Sequence, residues 1–358
     1  MPTASQIAQG RQTPLTAGLF NAVRDEAPLF SAFDARTTSD TSFLSLAIVS
    51  LPSSGFANLN EGFTSSEGQL ELREFSCSLI GGLIKAERIS ADLWDSKNAG
   101  SAGYNWFDLQ TMLKMKADIL HVEKQMIKGR SGNDSKGFPG AKELTPYSGG
   151  VFTMSETASK YDFKRSVLDV AGTSADTASS VYSFVFGPTE SQLILGNDSG
   201  GELVRMGEIQ TQMLAPNSAE ATKLSEHRVA QVDGYVGLAV SGFNQQLTDQ
   251  TVPTQYSVRR AANVTADSGK KCTDEVLDKL ARSHGTGRRP SLFAMSHRSG
   301  EQLAASRQST AVNYNMGQTG DAARSVANIY PEPPDNWRGI PIVYPSPDVI
   351  GDTDAIES

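Results

Sequence analysis

Residues 106–127 read WFDLQTMLKMKADILHVEKQMI. Apolar side chains recur at Leu109, Met112, Leu113, Ile119, Leu120, Met126 and Ile127, a three-to-four spacing that gathers them on one broad face of an α-helix. Gly103 precedes the run and Gly129 follows it, so the spacing predicts one helix over residues 106–128, over roughly 30 Å long at about 1.5 Å per residue. Six charged residues interleave with the stripe, so the helix is expected to lie across a surface and not to be buried all round. Its methionines read as packing, not as a cofactor box.

Upstream, residues 43–51 (FLSLAIVSL) are rich in strand-forming side chains and run into Pro52-Ser53-Ser54-Gly55. After Gly68 a second stretch alternates at Leu70 and Leu72, then at Phe75, Cys77 and Leu79. Period two predicts two strands, and the change of phase between Leu72 and Phe75 predicts a bulge or bend. The connection PSSGFANLNEGFTSSE is too long for a tight turn and suits a projecting two-stranded loop of roughly 25 Å reach at about 3.3 Å per residue. Phe56, Leu59 and Phe63 near its tip call for a partner. The first forty residues are polar, with apolar anchors at Leu19, Phe20, Leu29, Phe30 and Phe33. Such a segment builds no core alone and is expected to lie along something else.

Downstream, residues 129–150 (GRSGNDSKGFPGAKELTPYSGG) read as a long ordered loop. A helix is expected over 164–170, with strands over 181–186, 192–195 and 203–213. Residues 229–240 (VAQVDGYVGLAV) give the most regular strand. Residues 273–283 (TDEVLDKLARS) carry Thr273 at the N-cap, acids in the first turn and Arg282 near the end, the order a helix dipole favours. A short buried strand over 291–296 and a helix over 300–306 complete a compact α/β lobe. A final strand is expected over 337–343, after the turn at 331–334.

The 358 residues suffice for two or three lobes, and 38 % apolar with 20 % charged residues is ordinary globular composition. A formal charge of -8 disfavours wrapping of nucleic acid by the whole surface. Residues 259–307 hold ten Lys or Arg against five Asp or Glu, including Arg288 and Arg289, and read first as a solvated basic face. Cys77 and Cys272 stand far apart without zinc spacing, and no signal peptide or membrane-spanning run is evident, which points to a reducing cytoplasm.

Asp198-Ser199-Gly200-Gly201 looks like the nucleophile motif of chymotrypsin-like proteases, which needs a base and an orienting carboxylate. The one histidine before it, His121, sits mid-helix outside the expected neighbourhood, so a glycine-rich turn is the better reading. Residues 285–290 (GTGRRP) lack the lysine ending of a phosphate loop. His121, His227, His284 and His297 form no metal-ligand spacing, although His284 and His297 bracket the basic loop. No catalytic residue, cofactor-binding residue, cofactor or metal site is assigned.

Taken in order, the polar arm, the projecting loop, the long helix ending in glycine, the Gly137-Phe138-Pro139-Gly140 loop, the α/β lobe and the Trp337-Arg338-Gly339-Ile340-Pro341-Ile342-Val343 strand resemble the tailed-bacteriophage major capsid protein family, whose fold is named for phage Hong Kong 97. The resemblance implies an α+β chain with an N-terminal arm (1–42), an extended two-stranded loop (43–90) and a peripheral domain (91–166) with its spine helix over 106–128. An α/β axial domain (167–307) and a return to the peripheral domain (308–358) would follow. It implies a structural, non-enzymatic subunit that joins copies of itself in hexamers and pentamers of an icosahedral head. Scaffolding, portal and decoration proteins would be its further partners, with packaged double-stranded DNA nearby but not read by sequence, and no membrane. Its place would be the virion, after assembly in the host bacterial cytoplasm. Some members crosslink through a loop lysine; the stretch 52–75 has none, so that chemistry is not expected. A separate scaffolding protein or none, and no extensive N-terminal cleavage, is expected. Alternatives are an encapsulin-like shell protein, a serine hydrolase using Ser199, and a nucleic-acid module using Arg288 and Arg289.

Overall fold

The computed structural model describes residues 27–38, 42–50, 52–58, 61–98, 105–147, 151–154, 166–175, 177–196, 205–214, 224–241, 256–284, 288–315 and 332–357. The architecture is α+β. It opens with helix α1 (Pro28–Ala32), strand β1 (Ala35–Thr38), the pair β2 (Ser42–Ser50) and β3 (Gln69–Ser76), then β4 (Ser78–Glu87), α2 (Arg88–Asn98) and α3 (Trp106–Gly132). Next come α4 (Ala141–Leu144), β5 (Val151–Thr153), β6 (Val167–Asp169), β7 (Ser179–Phe184), β8 (Gln192–Gly196), β9 (Arg205–Met206), β10 (Gln210–Leu214) and β11 (Ser225–Ala239). The chain closes with β12 (Val258–Val264), α5 (Asp274–Ser283), β13 (Leu292–Ala294), α6 (His297–Asn315), β14 (Asn336–Trp337) and β15 (Ile340–Val343).

β11 is the hub of one sheet: it pairs antiparallel with β4, β8, β9 and β10, and β1 joins β8 in parallel. A second sheet runs β14-β15-β13-β7-β12-β6-β5. The returning strand β15 pairs in parallel with β13, so it joins the sheet of β7 and β12. Helix α5 lays Val276, Leu277 and Leu280 against Val181, Ala261 and Phe293 of that sheet, the three-residue and four-residue steps of one helical face. A larger cluster joins Leu29 and Phe33, Val122 and Met126 of α3, Tyr182, Phe184, Leu193 and Val236, so α3 and both sheets share one core.

α3 departs from its expected burial. Its ends pack in different clusters, Trp106 and Phe107 against Ile84, Ala91 and Val232, and Val122, Met126 and Ile127 against Leu29 and Phe138. Met112 and Leu113, between them, are exposed. The first turn gains a partner from outside the helix: Trp106 N–H donates to Asp95 Oδ1 of α2 at 2.8 Å. At the other end Gly129 has φ 67°, and a Cβ there would lie 2.5 Å from Gly140 N and 2.6 Å from Glu143 Oε2. Glycine is therefore required for the GFPG segment to fold back onto the helix end. Gln125 holds that return, donating to Phe138 O at 2.7 Å and Asp134 O at 3.1 Å and accepting from Asn133 Nδ2 at 2.8 Å.

Two local expectations change. Val167–Asp169 is a strand where the sequence predicts a helix over 164–170, because it completes the edge beside β12 and β5; tertiary pairing overrides a weak local preference. The strand expected over 203–213 is interrupted, with 207–209 outside the ladder and 203–204 outside the described residues.

Candidate assembly surface

β2 and β3 pair antiparallel from Ser42↔Ser76 to Ser50↔Gln69, with a register shift between Ile48 and Ser50. Leu46 faces Leu72 across the ladder, and side chains at alternate positions share a face. Leu44, Leu46, Leu70 and Leu72 are 56 %, 60 %, 62 % and 61 % exposed. A solvated antiparallel ribbon would carry polar residues on both faces, so this face is built for contact. At the tip, the Asn58 side chain and backbone N–H both donate to Glu61 Oε2, while Phe56 and Phe63 stand fully open.

The base is rigid where the ribbon is free. Phe43 stacks on Phe75 at 6.5 Å between ring centroids, and Phe75 packs on Ile194 and Ala239. The Arg36 guanidinium lies 4.8 Å from the Phe43 ring. The chain breaks ladder at Cys77, between β3 and β4, later than the phase change in the sequence suggests. Opposite that elbow, a Cβ on Gly237 would come to 3.0 Å from Ser76 O and 3.3 Å from Cys77 Cα. Gly237 thus lets β11 pass close under the point where the ribbon leaves the sheet. The apolar surface continues past the elbow: Leu79 and Leu83 of β4, with Tyr235 opposite Leu79, are exposed.

The chemistry raised by the sequence is dispersed. Asp198–Gly201, with Ser199, and residues 285–287 lie outside the described residues. His121 is at the surface 3.7 Å from Asp134, buried His227 donates from Nδ1 to Ser225 O at 2.9 Å, and His297 stacks on Tyr344. His284 is fully buried elsewhere, so the two histidines flanking the basic loop do not form a site. Its Nδ1–H donates to Tyr256 O at 3.2 Å, leaving Nε2 to accept from the Ser183 hydroxyl at 2.7 Å. That serine–histidine pair was not visible in the sequence. Burial and the nearby Arg259 charge push the imidazole down to about 3, so it is a poor proton acceptor, and neither side chain reaches solvent. Among the described residues no group of three or more His, Cys, Asp or Glu could hold a metal ion. Burial pushes the Cys77 thiol up to about 11 and the Cys272 thiol up to about 12, which keeps both protonated and unreactive.

The basic segment is largely neutralised from within. Arg260 pairs with Glu357, Lys279 with Glu275, Arg282 with Asp278, Arg288 with Glu190, Arg298 with Asp352 and Arg307 with Asp274. Arg289 donates to Arg338 O. A phosphate-binding stripe would leave such cations facing solvent.

No family model matches the sequence, and no curated protein is similar to it in sequence. In structure the chain is similar to one in the structure of bacteriophage Epsilon15, with a TM-score of 0.56 at 10 % identity over 100 % of this chain and 98 % of that one. A chain of the bacteriophage JBD30 capsid (TM-score 0.42, 10 % identity, 82 % of this chain and 86 % of that one) and one of the capsid of a native GTA particle (0.43, 10 %, 70 % and 94 %) are also similar. The fold is one that bacteriophages contain.

Proposed function

We propose that this chain is the major shell subunit of a tailed-bacteriophage head, joining copies of itself in hexamers and pentamers that close around the genome. The observation that carries this is the β2–β3 ribbon: four leucines exposed on one face of a projecting arm, on a fold shared end to end with a bacteriophage chain. An apolar arm gains free energy by covering itself on a neighbour, and every subunit repeats the same contact, so weak pairwise terms add up over a closed shell. In this reading residues 1–42 are the arm, 43–90 the extended loop with its projecting ribbon ending at Ser76, 91–166 and 308–358 the peripheral part, and 167–307 the axial part, with β14 and β15 of the returning stretch sharing the axial sheet through β13.

The work of such a subunit is distributed over contacts, so no side chain is assigned a catalytic role, and no cofactor. Scaffolding, portal and decoration proteins are its further partners in the virion, with DNA nearby and not gripped; assembly takes place in the host cytoplasm. No helix among the described residues is long and apolar enough to cross a membrane.

The test is negative-stain electron microscopy with light scattering on the protein expressed alone and with the neighbouring genes. Closed shells, tubes or ring-shaped capsomers are expected. A monomer that persists at high concentration under both conditions overturns the reading.

A further inference from the structure

Glu123 lies on the face of α3 that receives α1, and its side chain is 1 % exposed. Neither carboxylate oxygen closes a hydrogen bond of good geometry with a described residue, although the Leu29 and Phe30 amides at the start of α1 are turned to it. Around it the packing is apolar: Leu29 of α1 is fully buried against a cluster containing Val122 and Met126, its neighbours on α3. Four residues on, Phe33 meets Phe184 and Phe186 edge-on at 5.1 and 4.8 Å. The short helix is thus pinned by apolar anchors at Leu29 and, just past its end, at Phe33, beside a buried acid that no charged group answers. An ionised carboxylate in such a place costs several kcal/mol, whereas the neutral acid is tolerated.

We propose that α1 is a proton-sensitive clasp: it is held on α3 while Glu123 is neutral and loosened when Glu123 ionises. Burial pushes the Glu123 carboxyl up to about 7, and the amides of Leu29 and Phe30 in α1 pull back only part of the way. No charged group takes part in that shift. α1 itself carries none; Asp34 beyond it, Lys85 on β4, Asp95 on α2, and Lys142 and Glu143 on α4 belong to elements near α3 and contribute nothing to it. When α1 lifts, Glu123 meets water and regains an ordinary carboxyl affinity. The docked form therefore binds the extra proton, so docking is strongest near pH 4.5, weakens as the pH rises towards 7, and stays at its weakest above that. This inference concerns the single subunit and stands apart from the shell reading.

Hydrogen exchange of the full-length subunit, followed by mass spectrometry over residues 27–34 and corrected for intrinsic rates, tests it between pH 5 and pH 8. Protection of α1 is expected to fall on the order of 50-fold across that range and to level off above pH 7. Glu123→Gln is expected to keep the pH 5 protection throughout. Glu123→Met, which fills similar space without a charge, must give the same flat profile and serves if the amide variant folds poorly. A wild-type profile without slope, or a slope that survives in both variants, overturns the proposal.

Discussion

Arg260 and Glu357, 97 residues apart in the chain, form a two-pronged ion pair in which Nη1 meets Oε1 and Nη2 meets Oε2, both at 2.6 Å. Arg260 is 1 % exposed in its side chain and also donates to Thr145 O at 3.1 Å. Asn263 fastens the same tail by exchanging hydrogen bonds with the Glu357 backbone, both at 2.9 Å. The end of the described chain is thereby a structural part of the second sheet.

Glu357→Gln leaves Arg260 buried with half a partner and is expected to destabilise the subunit by about 3 kcal/mol in urea unfolding at pH 7. Burial alone would raise the Glu357 carboxyl, but the Arg260 hydrogen bonds and charge, with Lys142, hold it below the usual range. A carboxyl held low contributes stability above its ordinary value near 4.5 and loses it as pH falls further. The gap in Tm between wild type and variant should therefore narrow below pH 4.5. A constant gap down to pH 3 would assign the loss to packing instead.

Gly129→Ala places a Cβ at positive φ and against Gly140 and Glu143. The expected cost is about 1–3 kcal/mol. Urea titration measures it, and Gly62→Ala, where a Cβ would meet nothing within 4 Å, should cost less than about 1 kcal/mol.

His284 is held neutral, so unfolding below pH 6.5 takes up a proton. Stability associated with it is full above pH 6.5 and drains as pH falls towards about 3, at up to about 1.4 kcal/mol per pH unit. Denaturation free energies from pH 7 to pH 4 should show that slope, and His284→Gln should flatten it. Equal slopes in both proteins would place the uptake elsewhere.

Leu46→Lys with Leu72→Glu alters exposed positions only and sets opposite charges face to face across the ladder. Subunit stability should move by less than about 0.5 kcal/mol, while particle yield in light scattering falls at least tenfold. Undiminished particles would remove the ribbon face from the assembly surface.

Much of this fold is legible in the order of residues. The spine helix was readable because the 3.6 period and its flanking glycines are local signals, and the ribbon because alternation on either side of a long polar turn is local too. Gln125 and Glu123 were not, since a polar residue on a helix looks solvated until the loop or the arm that covers it is known. Met112 and Leu113 erred in the opposite sense: they belong to the apolar period yet face outward.

The sequence by itself determined the long helix, the two ribbon strands with their long connection, β7, β8, β11 and α5, and that no histidine or cysteine set has metal spacing. Only the tertiary structure decided that β6 is a strand, that the return strand joins β13, that Arg260 is answered by Glu357, and that the basic segment is largely paired with acids, half of them from outside it. The reason is physical. Periodicity is written between residues three or four apart, whereas burial and charge compensation depend on pairs such as 260 and 357, whose approach is fixed by the packing of the whole chain.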